Sequence, residues 1–371
     1  MFSREVNILI IDNNSPFVLP LLRSFSGFPN VHLDVLLSSD LKPQEFRYSR
    51  HLRKIYQVSS LNHDNFKEVV LETSKKSNAD LIIPTREWIS ELLFKNRESL
   101  EKHVKIHPVP ESDTLETTGN KWKLSQWLKQ NEFPTATTSG IDKNWTGSYP
   151  MLIKPVRGIS GEGIILIQNA EELKSTIGKN GIGKEGFFMQ EYVQGYDIDM
   201  SLFAIKGKIL VHTMQRGIIS GRLTYSKGIE FIKNRDLYQL VERIIKKLNY
   251  TGIAHLDFRY DNDRKEYVLI DFNARYWSSV QGSRAMGVNF PLLATAYSLG
   301  ITVEYPDYRS GHFYFTTTAL KVKLKNLFSN QNYPVKLKDT QLQYLFLDPQ
   351  PELGYLMQQL LKPIRQIFHK R

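Results

Sequence analysis

Between Gly252 and Gln281 the chain reads GIAHLDFRYDNDRKEYVLIDFNARYWSSVQ, and its polar residues fall at alternate positions. His255, Asp257 and Arg259 alternate with Leu256, Phe258 and Tyr260. Beyond the polar run DNDRKE, Val268, Ile270 and Phe272 alternate with Asp271, Asn273 and Arg275. A period of two sorts each set onto its own face of a strand. The expectation is a hairpin with one apolar face and one face carrying two carboxylates, an amide and arginines. A turn centred near residue 264 sets Asp257 opposite Asp271, and a one-residue slip would turn one set away. Two acids and an amide oxygen are hard ligands. Mg2+ takes such ligands and completes its shell with water and substrate phosphates. The competing reading is a pair of same-strand salt bridges, Asp257–Arg259 and Asp271–Arg275.

Three other stretches bear on the choice. In YPMLIKPVRGISGEGIILI, Lys154 lies between Leu152, Ile153 and Val156, and burying an ammonium group without a partner is costly. Pro155 biases Lys154 towards an extended conformation. Gly158, Ser160, Gly161 and Gly163 follow between two strands, a hairpin flap whose N–H groups can approach phosphates. The bland alternative is a flexible loop beside a snorkelling lysine. In GFFMQEYVQGYDIDMSLFAI, Gly195 breaks an alternation, and a new strand begins with Asp197, Asp199 and Ser201 on one face. The extended connection can offer backbone groups to a base edge and an acid to ribose hydroxyls; otherwise the acids are a solvated edge. In KWKLSQWLKQNEF, Leu124, Trp127 and Leu128 share a helical face, and Asn120 as N-cap places Lys121 at the first helical position.

These stretches need a scaffold. Residues 1 to about 115 alternate strands (VNILIID, VHLDVLL, RKIYQV, ADLIIP) with helices (FVLPLLRSF, Asn65 to Lys76), a βαβ pattern that implies a parallel sheet. The first strand ends in DNNSPF, without the glycine-rich turn of a dinucleotide site, which argues against a dehydrogenase. HPVPESDTLETTGN marks a boundary. VHTMQRGIISGRLTYSKG reads as a basic loop with Arg216, Arg222 and Lys227, and Arg235 to Lys247 as an amphipathic helix. SSVQGSRAMGVNFPLLATAYSLG reads as a turn and one helix; FYFTTTAL and TQLQYLFL read as strands.

The 371 residues include no cysteine, which excludes disulfides, thiolate metal sites and a cysteine nucleophile. No serine, histidine and aspartate set is legible as a triad. The net charge of +11 suits anionic partners, but the basic residues are spread out and no nucleic-acid motif is present. The start MFSREVNILIID lacks the features of a signal peptide, and no run is long enough for a membrane span. A cytoplasmic location is the expectation. The basic amphipathic end, GYLMQQLLKPIRQIFHKR, packs on its own domain or, less expectedly, touches an anionic membrane surface.

Taken in order, these segments resemble the ATP-grasp superfamily over about Asn120 to Gly300, in particular the carboxylate–amine ligases and the ATP-grasp halves of the carbamoyl-phosphate synthase large subunit. The upstream βαβ unit is similar to a pre-ATP-grasp domain. The resemblance implies an α/β protein, α+β in its ATP-grasp part. Its divisions would be a Rossmann-like domain (1–115), a small lobe with the flap (116–193), a large lobe with the metal site (194–300) and a C-terminal extension (301–371). It assigns Lys121 and Lys154 to the ATP phosphates, Gly158, Ser160, Gly161 and Gly163 to the flap, and Gln190, Glu191, Tyr192 and Val193 to the hinge. Asp197 falls to the ribose, Asp257, Asp271 and Asn273 to the metal, and Arg275 to the transferred phosphoryl group or the carboxylate. Asp197 and Asp271 stand where glutamate is common. The implied cofactors are ATP and two Mg2+ ions, with Mn2+ as a substitute. The implied reaction makes an acyl phosphate from a small-molecule carboxylate, couples it to an amine, and releases ADP and phosphate. A non-catalytic ATP-binding regulator on the same scaffold is the alternative. Homo-oligomer formation and the identity of both substrates are left open.

Overall fold

The computed structural model describes residues 1–12, 16–38, 45–158, 161–178, 182, 186–219, 226, 228–316, 318–319, 336–354 and 357. The chain opens with strands β1 (Val6–Asp12), β2 (Val31–Ser38), β3 (Leu52–Val58), β4 (Leu81–Pro84) and β5 (Lys105–Ile106). Between them lie helices α1 (Val18–Ser24), α2 (Phe66–Ser77), α3 (Glu87–Lys95) and α4 (Arg97–Leu100). The strands pair in parallel in the order β3-β2-β1-β4-β5. A parallel sheet is covered on both faces, which is why VNILIID is apolar throughout. Ile8 and Ile10 enter one core with Leu21 and Leu22, while Leu9 and Ile11 enter another with Phe66 and Ile89. Strand order reverses between β1 and β4. Their carboxyl ends, at Asp12 and Pro84, therefore flank the kind of crevice in which α/β sheets bind ligands.

Helices α5 (Ser112–Gly119) and α6 (Lys121–Gln130) lead into an antiparallel sheet ordered β6-β9-β7-β8. It comprises β6 (Thr138–Ser139), β7 (Met151–Pro155), β8 (Ile165–Ile167) and β9 (Phe187–Glu191), with α7 (Ala170–Thr176) after β8. A larger antiparallel sheet follows, ordered β14-β13-β10-β11-β12-β15. Its strands are β10 (Gly195–Ile205), β11 (Lys208–Ile219), β12 (Gly228–Ile232), β13 (Gly252–Asp261), β14 (Glu266–Asn273) and β15 (Gly311–Tyr314). Helix α8 (Arg235–Lys247) buries Leu237, Leu240, Val241, Ile244 and Ile245 in the same core as Met200, Leu256 and Phe258. The opposite face of this sheet carries the polar residues. Helices α9 (Val280–Ala285), α10 (Phe290–Ser298) and α11 (Tyr344–Leu347) complete the named elements. No helix among the described residues is long and apolar enough to cross a membrane.

The structure departs from the sequence expectations at several places. The supposed basic loop is largely strand: β11 runs to Ile219, and Arg216 ion-pairs with Glu230 of β12 at 2.7 Å. Arg222, Lys227, Ser160 and residues 358–371, including the basic end, lie outside the described residues. The stretch after Ser278 forms two helices, α9 and α10, not one. The strand at FYFTTTAL ends at Tyr314. TQLQYLFL is helical, a 3-10 turn at Gln341–Gln343 followed by α11. There the Thr340 hydroxyl accepts from the Leu342 N–H, so a local cap replaces strand pairing.

Candidate active site

The hairpin β13–β14 pairs Asp257 with Asp271 and His255 with Asn273, the expected register. One residue further on the register slips: Phe258 pairs with Leu269, and Ile270 is the extra residue of a bulge. This corrects the simple alternation. Phe272 and Leu269 enter the main core, whereas Val268 and Ile270 pack with Ala136 and Val193 in a small apolar cluster. The bulge thus places an apolar patch beside the acids.

Neither same-strand salt bridge forms. Asp271 Oδ1 takes the Lys121 ammonium at 2.8 Å, and Arg259 reaches across to Asp197 at 2.7 Å. Asp257 Oδ1 pairs with His255 Nε2 at 3.0 Å, and Arg275 pairs with Glu87 of α3 at 2.8 Å. Lys121 arrives because Asn120 caps α6, its side chain accepting from Lys123 N–H at 3.1 Å. Its Nζ also donates to the Gly158 carbonyl at 3.2 Å, tying the flap to the hairpin. Gly161 and Gly163 both sit at φ +75°, where a side chain would be strained.

Lys154 is 4% exposed, and its ammonium donates to Gln190 Oε1 at 2.8 Å. Burial pulls its pKa down to about 8; nearby Asp271 pulls the other way and Lys121 adds to the fall. A buried cation hydrogen-bonded to a neutral amide, with a second lysine nearby, can take an anion. Gln190 is therefore a clamp for Lys154. Glu191 pairs with Arg264 at 2.6 Å and accepts from Thr137 N–H at 2.8 Å, and Tyr192 lies under the Arg259 guanidinium. The Val193 carbonyl accepts from Arg259 Nε at 2.8 Å. The Glu191 and Tyr192 side chains and this carbonyl are thus engaged within the protein, while Val193 contributes to the apolar patch.

Asn273 Nδ2 donates to Asp257 Oδ2 at 3.3 Å, and Asn273 Oδ1 accepts from Arg275 Nη2 at 2.7 Å. Arg275 lies over the Phe17 ring, 4.6 Å from its centroid. The run Asp257–Asn273–Arg275–Glu87 therefore leads from the hairpin to the crevice of the parallel sheet. The donor set fits a hard divalent cation: two facing carboxylates, of which Asp271 already carries a cationic group. Asn273 lies beside that set, its amide oriented by Arg275 on the oxygen side and by Asp257 on the nitrogen side.

Sequence reasoning left out three residues. Asp199 faces Asp257 across β10 and β13. Burial and then the Asp257 charge push its pKa up to about 7. His255 sits against Asp257, and Ser201 against His255 at 2.8 Å. Burial alone would lower the His255 pKa, but Asp257 raises it. Burial alone would raise that of Asp257, but His255 and Lys121 bring it down. Serine, histidine and aspartate do meet here, contrary to expectation, yet Ser201 is fully buried and cannot reach a substrate. Glu87 is the third. All three lay in alternating or helix-opening positions, but their partners are distant in sequence.

Residues 118–279 match the family model of the ATP-grasp domain. The chain carries an ATP-grasp domain. Among curated proteins it is 30% identical over 225 residues to a formate-dependent phosphoribosylglycinamide formyltransferase of Prochlorococcus marinus (strain NATL1A), covering 55% of each chain. It is 20% identical over 312 residues to D-aspartate ligase of Enterococcus faecium, covering 75% of this chain and 73% of the ligase. It also spans 49% of an uncharacterized protein of Mycoplasma pneumoniae, so it covers about half the length of several curated relatives. Among solved structures, N5-carboxyaminoimidazole synthetase from Staphylococcus aureus complexed with ADP superposes with a TM-score of 0.68 at 14% identity. That match covers 88% of this chain and 87% of the other. The matched residues take in the sheet β6-β9-β7-β8 and strands β10 to β14 of the larger sheet.

Proposed function

We propose that the protein is an ATP-dependent ligase that phosphorylates a substrate carboxylate and couples the acyl phosphate to an amine, releasing ADP and phosphate. The observation that carries this reading is the meeting of Lys121 with Asp271 opposite Asp257, on a face that runs through Asn273 to Arg275 and the N-terminal crevice. Phosphoryl transfer asks chiefly for positioning and charge neutralisation, which such a face supplies. Lys154 and Lys121 hold phosphate oxygens of ATP under the flap of Gly158, Gly161 and Gly163. The patch of Ala136, Val193, Val268 and Ile270 takes the base, and Asp197 takes the ribose. Asp257, Asp271 and Asn273 are the residues that would hold Mg2+, which when bound neutralises the charge between the β- and γ-phosphates. Arg275, held by Glu87 and Phe17, orients the acceptor carboxylate at the crevice. Ser201 is buried, so the Ser201–His255–Asp257 set offers a substrate no nucleophile, which accords with activation of the substrate carboxylate itself. The names of two relatives, D-aspartate ligase and a formyltransferase, support a small-molecule acceptor.

The test begins with a screen of amino acids and small carboxylic acids for ADP release. With the acid found, hydroxylamine replaces the amine and yields a hydroxamate, with one ADP and one phosphate per turnover. Release of AMP and pyrophosphate would overturn the mechanism. Asp271→Asn abolishes turnover and leaves the fold intact. A wild-type protein that binds ATP, yet releases ADP with none of these acids, would support the regulatory alternative.

A further inference from the structure

Asp257 receives a different partner at each of its two oxygens. Oδ2 has the Asn273 amide at 3.3 Å, a weak contact, whereas Oδ1 has His255 Nε2 at 3.0 Å. The imidazole is itself fixed on two sides. Its Nδ1 meets the hydroxyl of fully buried Ser201 at 2.8 Å, and its ring stacks on Trp277 at 5.4 Å and 10° between planes. Asp257 accepts only, so Nε2 carries the proton towards it, and in the neutral ring Nδ1 accepts the Ser201 hydroxyl proton. Directly across the sheet from Asp257 stands a third carboxyl group, Asp199. The ligand atoms of Asp199, His255 and Asp257 all lie within 4.8 Å of one another. An aspartate that faces another acid turns away from it unless an opposing donor holds it. Asp199 has a donor of its own in Gln215, at 3.3 Å, which is in turn held by Ser279.

We infer that His255 is a positioning residue: through Nε2 it fixes the orientation of the Asp257 carboxylate, so that Oδ2 is presented to the divalent cation of the nucleotide complex. The inference rests on the metal-site reading of Asp257 and Asp271 given above. Partners that orient metal ligands commonly carry much of a site's affinity, and their loss weakens metal binding by about 10–100-fold.

The experiment measures Mn2+ binding to the full-length protein with saturating ADP, reading free Mn2+ by electron paramagnetic resonance. His255→Leu should weaken Mn2+ binding by roughly 10–100-fold, with metal-free ADP affinity unchanged. His255→Gln, whose carboxamide can donate to Asp257, should restore most of the loss. Ser201→Ala, which frees the ring, should weaken binding in the same direction by less. A folded His255→Leu protein with wild-type Mn2+ affinity overturns the inference, as does a His255→Gln protein no better than His255→Leu. If His255→Leu does not fold, near-wild-type binding by His255→Gln together with weaker binding by Ser201→Ala supports the inference, and unaltered binding by Ser201→Ala overturns it. A wild-type protein that takes up no Mn2+ with ADP overturns the metal-site reading itself, and the inference with it.

Discussion

Arg23 and Lys154 are both buried cations, and they are treated differently. Arg23, 3% exposed, sits at the end of α1 and is matched by acids. Its Nε and Nη2 donate to the side chain and carbonyl of Asp348, its Nη1 donates to Glu352 at 2.9 Å, and its guanidinium lies over the Tyr344 ring. Asp348, fully buried, also accepts from Ser49 Oγ at 2.8 Å and Arg50 N–H at 3.0 Å. Lys154, 4% exposed, has one neutral amide. A buried charge matched on all sides fastens elements together, here the C-terminal α11 to the N-terminal domain. A buried charge left short of a counter-ion costs stability until an anion arrives. On the proposed function that anion is the ATP phosphate.

The sharpest break of this comparison is at Asp348. Asp348→Asn keeps the shape and removes the charge, leaving Arg23 with Glu352 alone. Breaking a buried pair from one side costs about 3–5 kcal/mol, read from the urea midpoint of unfolding. The double variant Arg23→Met with Asp348→Leu should recover much of the loss. A cost below about 1 kcal/mol would place the pair with surface ion pairs and dissolve the contrast.

Lys154 should respond in the opposite sense. Its folded pKa lies below its unfolded one, so the burden of keeping it charged is full below pH 8 and is relieved as pH rises from about 8 to 10.5. At pH 7, Lys154→Met removes up to about 3 kcal/mol of that burden, set against about 1–3 kcal/mol for leaving the Gln190 carbonyl unpaired. The unliganded variant should therefore be no less stable than wild type, by as much as about 2 kcal/mol in its favour. The ligand response should vanish. ATP with Mg2+ at 100 times its dissociation constant adds about 2.7 kcal/mol to wild type, and a thermal-shift titration of the variant should lose most of that rise. A variant that keeps the full rise would remove Lys154 from the phosphate site.

The contrast also marks what a sequence can disclose. Asp257 opposite Asp271 was legible because a hairpin's register follows from the centre of its turn. Helix α8 was legible because five apolar residues recur at helical spacing, and the parallel N-terminal sheet because its strands alternate with helices. Lys154 stood out as a charge in an apolar run. What was hidden depends on partners far along the chain. Arg275 looked like a partner for Asp271, yet Glu87 claims it. His255 lies 54 residues from the serine that holds it. The bulge at Ile270 is set by pairing with β13 and has no local signal. TQLQYLFL carries strand-like alternation, but the Thr340 cap and the burial of Tyr344, whose hydroxyl donates to Gln281, decide for helix.

Another buried basic group, His107, answers the same problem by staying neutral. His107 follows β5 at the seam between the N-terminal sheet and the segment after β14. Its Nδ1–H donates to the Pro108 carbonyl at 3.2 Å, and its Nε2 accepts from the Tyr276 hydroxyl at 2.9 Å, one residue from Arg275. Both nitrogens are satisfied in the neutral ring. Burial, partly opposed by the Pro108 carbonyl, pulls its pKa down to about 4 from 6.5. Between those values the unfolded chain binds the proton and the folded chain does not, so stability falls as pH drops below 6.5 and the loss is complete near pH 4. At pH 5.5 the share due to His107 is about 1 kcal/mol. His107→Gln keeps a donor and an acceptor without titrating. Wild type minus variant, compared by urea unfolding at pH 7.5 and 5.5, should change by about that amount, the variant losing less on acidification. Equal losses in both proteins would mean that His107 titrates normally, and that the seam beside Arg275 is wetter than its packing indicates.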